Sequence, residues 1–94
     1  MSEETLEKGV VYPATVRGVD WVNPSLYLGE RKYSPVSPKA HLVAFRDVKG
    51  RAFLRGFTRF ELKKGVLVMK FMYTPQIPDR ERAYLETKLR EVGI

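Results

Sequence analysis

The chain has no cysteine. That excludes disulfides, zinc–thiolate sites and a cysteine nucleophile, and it fits a reducing compartment. It has one histidine, His41, too few for an ordinary zinc site. No uninterrupted apolar run exceeds four residues, as at Val66–Met69, whereas a bilayer-spanning helix needs about 20. The opening Met-Ser-Glu-Glu has neither the basic nor the apolar stretch of a secretory leader. These absences imply a soluble, cytoplasmic protein with no membrane partner. Asparagine and glutamine occur once each among many Glu, Lys, Arg and Val residues, a composition expected of a thermophile.

Catalytic chemistry is also thinly supplied. A nucleophile, base and orienting acid would have to converge on His41. Asp20, Asp47 and Asp79 all fall in turn-like contexts, and no spacing ties any of them to His41. No acidic series resembles a calcium loop. Neither the phosphate-binding loop of nucleotide hydrolases nor the dinucleotide glycine fingerprint is present. The expectation is a non-enzyme with no cofactor and no metal.

Positive charge is what the chain has in excess. The net charge is +6 over 94 residues, a length that makes one domain, 1–94. The charge is uneven: −2 over residues 1–10, +2 over 11–40, +5 over 41–65 and +1 over 66–94. A concentrated basic segment is the electrostatic footprint of a polyanion binder.

That segment carries a pattern. Arg51, Phe53, Arg55, Phe57 and Arg59 alternate with Ala52, Leu54, Gly56, Thr58 and Phe60. Side chains alternate faces along a strand, so a regular strand would gather guanidinium and phenyl groups on one side. The other side, with Leu54 and Phe60, would face the core. Guanidinium pairs with phosphate in a planar fork, and exposed rings stack on unpaired bases. Arg55-Gly56-Phe57 matches the first three positions of the RNA-recognition motif's sheet signature. Thr58 and Arg59 depart from the next two, and no helix is expected between the first two strands, so membership of that family is excluded.

The remaining pattern predicts an α+β fold: a small curved antiparallel sheet, or partly open barrel, of about five strands with one C-terminal helix packed on it. Residues 1–8 read as a frayed acidic lead. Strand formers begin at Val10, with Pro13 at an edge and Gly18 at a bulge. Asn23-Pro24-Ser25 reads as a turn before a short strand at Leu26–Leu28. Tyr33 to Lys39, with two prolines, reads as a stiff connecting loop. A third strand, His41 to Val48, turns through Lys49-Gly50 as a two-residue hairpin. That register sets Arg46 opposite Phe53, and so on the basic-aromatic face. Lys63-Lys64-Gly65 makes another turn before a last strand, Val66 to Tyr73. Asp79 is the expected N-cap of a helix over 79–92, with Leu85, Leu89 and Val92 on its apolar stripe and Gly93 at its stop.

The function expected from these residues is low-specificity binding of nucleic acid, single-stranded DNA or RNA in preference to duplex. Arg46, Lys49, Arg51, Arg55, Arg59, Lys63 and Lys64 would meet phosphates, and Phe53 and Phe57 would stack on bases. The competing expectation is a non-catalytic structural or interaction subunit. On that view the same face docks protein, as a homodimer seam or as part of a larger complex or virion.

Overall fold

The computed structural model describes residues 5–16, 22–31 and 39–94. Within them five strands precede one helix: β1 (Val11–Val16), β2 (Asn23–Arg31), β3 (Ala40–Arg46), β4 (Ala52–Lys63), β5 (Val66–Tyr73) and α1 (Asp79–Glu91). Each strand pairs antiparallel with the next. Four reversals leave β5 pointing the same way as β1. The two pair in parallel from Ala14 opposite Leu67 to Val16 opposite Met69, which closes the barrel. The sheet is therefore mixed and closed rather than open.

The barrel has two apolar layers. Ala14, Tyr27, Val43, Phe45, Phe57, Leu67 and Met69 fill its interior. Leu26, Ala44, Ala52 and Leu54 lie on the outer wall and meet Leu85 and Leu89 of α1. A short helix is marginal alone, and this docking supplies its stability. Two side chains reinforce it. Arg46 donates from Nε to the Ile94 main-chain oxygen (2.6 Å) and from Nη1 to Gly50 O (2.7 Å). Arg82 donates to Ala52 O (2.6 Å). Ile94 N–H returns to Leu89 O and Gly93 N–H to Arg90 O, the paired bonds of a Schellman stop.

Several expectations change. Asn23 and Pro24 do not turn; they begin β2, with Pro24 opposite Pro13. Two residues without an N–H share one rung, a pairing that asks neither to donate to the other. Pro78, not Asp79, is the N-cap, and no side chain caps the helix. Val92 is 39% exposed, off the buried stripe. Leu6 packs against the barrel interior, so the described end of the acidic lead is held. The bulge expected at Gly18 and the connecting loop at 33–38 lie outside the described residues.

Candidate nucleic-acid interface

The β3–β4 connection decides which side chains of β4 share a face. Asp47 N–H donates to Arg51 O, and Gly50 N–H donates to Asp47 O. Asp47 Oδ1 accepts from both Lys49 N–H and Arg51 N–H, each at 2.9 Å. The connection is thus a loop from Asp47 to Arg51 organised by a carboxylate, not a two-residue Lys49-Gly50 turn. Phe45 then faces Phe53 and Arg46 faces Ala52, one residue away from the expected register. A one-residue slip exchanges the faces of a strand pair.

Three site expectations are corrected on this ground. Phe57 is wholly buried in the barrel, stacked on His41 at 5.2 Å; it is unavailable to a base. Phe53 is half-buried and stacks on Phe45 at 5.3 Å. Arg46 lies on the helix-covered wall, its donors taken up by main-chain oxygens. Leu54 is buried as expected, although under α1 rather than inside the barrel. Arg55 keeps an interior position at the barrel mouth, its guanidinium 5.9 Å from the Phe53 ring centre. It borders a cavity of about 420 Å³ with Asn23, Arg46, Asp47, Val48 and Phe53.

The alternation then breaks. The β4–β5 ladder runs Gly56–Tyr73, Phe57–Met72, then Arg59–Lys70, omitting Thr58 and Phe71. Thr58 and Arg59 are both exposed, and Phe60 turns inward again. Beyond the break, Arg59, Glu61 and Lys63 point outward, beside Val66, Val68 and Lys70 of β5. The hairpin closes through Lys64 (φ 53°) and Gly65 (φ 81°), the two positive φ values of a type I′ turn.

This outer face is the surviving part of the expected site. Glu61 is held between two lysines, with Lys70 Nζ at 2.6 Å and Lys63 Nζ at 3.4 Å. The hydrogen bonds from Lys70 and then Lys63 hold its carboxyl below the usual glutamate value. Arg59 and Lys64 are exposed and have no carboxylate partner among the described residues. Lys49 and Arg51 are exposed at the opposite end of β4, just before Ala52. The structure thus divides the expected cations into two groups; only Arg55 stays beside Phe53, and neither group has an exposed Phe57 to work with.

Phe71 was not among the expected residues. It is 72% exposed and has φ 53°, the left-handed region, which costs a bulky L-residue about 1–3 kcal/mol. Parity with Leu67 and Met69 would have put it inside, so no period-2 signal reveals it.

His41 is engaged elsewhere. Its Nδ1 lies 2.7 Å from the Tyr27 hydroxyl, and its ring packs on Phe57 and Phe60. Burial, with Glu30 and Tyr12 nearby, pushes the Tyr27 phenol up to about 12. Burial also lowers the His41 imidazole below its ordinary value, against the opposing pull of Glu30. Among the described residues no cluster of His, Asp or Glu can hold a metal ion, and no helix is long and apolar enough to cross a membrane. No known family, curated protein or solved structure matches the chain.

Proposed function

We propose that this protein is a non-catalytic nucleic-acid-binding domain that meets the phosphate backbone with the outer face of the β4–β5 hairpin. The observation that carries the reading is the charge arrangement there. Arg59, Lys63, Lys64 and Lys70 stand with one carboxylate, Glu61, on a wall that α1, docked over β3 and the start of β4, leaves open. Neutralising phosphates releases counterions, so affinity depends on charge more than on sequence. Arg59 offers a planar fork for phosphate oxygens. Lys63 and Lys64 offer point charges at the hairpin tip. Lys49, Arg51 and Arg55 form a second basic group at the far end of β4, for a longer strand.

Salt titration is the test. Each phosphate contact contributes about 0.7 to the slope of log affinity against log salt for single strands. Three hairpin contacts give a slope of about −2, and engagement of the far group steepens it. Arg59→Ala and Lys64→Ala should each flatten the slope by about 0.7. A slope that neither substitution changes would remove the hairpin from the interface. No binding at low salt would end the reading altogether.

A further inference from the structure

We propose that Phe71 is the stacking platform of this face and that the ligand is a strand with unpaired bases. The inference rests on the nucleic-acid reading above. Phe71 is both strained and exposed: φ 53° with 72% of its surface in solvent. Packing among the described residues does not account for the ring's position, and the backbone opposes it. Strain of this kind persists only where the surroundings over-determine it, and it clusters at ligand-holding positions. Here the surroundings are the β4–β5 ladder, paired on both sides of Phe71 at Met72 and Lys70.

Beside the ring lies a cavity of about 260 Å³ bordered by Val16, Met69, Lys70 and Met72. Its apolar walls suit the face and edge of a flat heterocycle. Lys70 joins this cavity to the Glu61–Lys63 cluster, since its Nζ holds Glu61 at 2.6 Å. Arg59 lies opposite Lys70 on the neighbouring strand. A base on Phe71 therefore has cations for its phosphates on the adjoining rung. Tyr84, the other large exposed ring among the described residues, borders a cavity of its own with Pro78, Arg80 and Glu81, and differs from Phe71 in its backbone. It sits on unstrained helix with Lys88 Nζ 5.5 Å from its centre. Every base has a π-face, so a single ring confers a preference for unpaired strands without a sequence code. In duplex the base faces are covered and unavailable.

The test compares oligo(dT) with an abasic strand of equal length and charge, titrated into wild type, Phe71→Asn and Phe71→Trp. Asparagine tolerates the left-handed region and removes the ring; tryptophan keeps a ring. Wild type should prefer oligo(dT) by about 5- to 150-fold, the range for one stacked base. In Phe71→Asn the preference should collapse, abasic binding should be unchanged, and Tm should be equal or higher. Phe71→Trp should retain the preference. A preference that survives in Phe71→Asn overturns the assignment of Phe71 and leaves the nucleic-acid reading standing. A Phe71→Asn protein with lowered Tm that loses both strands alike shows the ring to be structural and overturns it too. So does Phe71→Asn separating a homodimer into monomers with the preference intact. Wild type that binds neither strand overturns both readings together.

Discussion

Gly56 is glycine because Tyr73 occupies the space a side chain would need. A Cβ at Gly56 would lie 2.3 Å from Tyr73 Cζ, across the rung the two residues share. Gly56→Ala should therefore destabilise the protein by about 1–3 kcal/mol, the usual cost of overpacking. A denaturant midpoint equal to wild type would show that the ring moves aside freely. Phe57, next in sequence, is wholly buried, so Phe57→Ala should cost about 3–5 kcal/mol. Affinity for nucleic acid per folded molecule should not change. From sequence, Arg55-Gly56-Phe57 looks like a presented basic-aromatic surface. Residue types alone do not reveal that Gly56 makes room for a ring, or that Phe57 shares the barrel interior with Val43 and Phe45.

The elements themselves were legible. Alternation and turn residues located β5 at Val66–Tyr73, and the 3.6-residue spacing of Leu85 and Leu89 located α1 and its buried side. Register was not legible, because it depends on one carboxylate. Asp47 Oδ1 organises the β3–β4 loop, and the extra loop length moves every β3–β4 pair by one. The inversion at Thr58 and Phe71 was equally hidden, since an unpaired rung leaves no mark on hydrophobic period. The consequence at this scale concerns Arg46, which became a strut between the sheet and α1. Arg46→Met should cost about 1–3 kcal/mol by removing the side-chain donor to the main-chain oxygens of Ile94 and Gly50. The salt slope of nucleic-acid binding should stay at the wild-type value. A flattened slope with unchanged stability would restore Arg46 to the interface. Leu89→Ala, at the same helix–sheet contact, should cost about 2–5 kcal/mol.

For the molecule as a whole, pH tests whether the closed barrel is built around a neutral imidazole. His41 and Tyr27 sit on adjacent strands, β3 and β2, with Phe57 and Phe60 of β4 against the imidazole. A neutral imidazole protonated at Nε2 accepts the Tyr27 hydroxyl proton at Nδ1. Acid puts a second proton at Nδ1, so the hydroxyl must turn to accept, and a charge enters a half-buried aromatic site. The folded-state imidazole therefore titrates below its ordinary value, chiefly through burial, with Glu30 opposing. Where the folded pKa lies below the unfolded one, the unfolded chain binds more protons between the two, and stability rises with pH across that window. The His41 contribution is thus complete above about pH 6.5 and is lost as pH falls through the folded value. Glu61, also lowered but exposed, contributes in the same direction in a separate, more acid window. Tm should accordingly fall on acidification from neutral pH before carboxylates titrate, and His41→Gln should abolish that first step while leaving the second. Because the chain has one histidine, its imidazole resonance follows the folded-state titration without ambiguity. A resonance titrating above the unfolded value, or an acid step that survives in His41→Gln, would mean that the barrel tolerates the charged ring and that its acid sensitivity arises elsewhere.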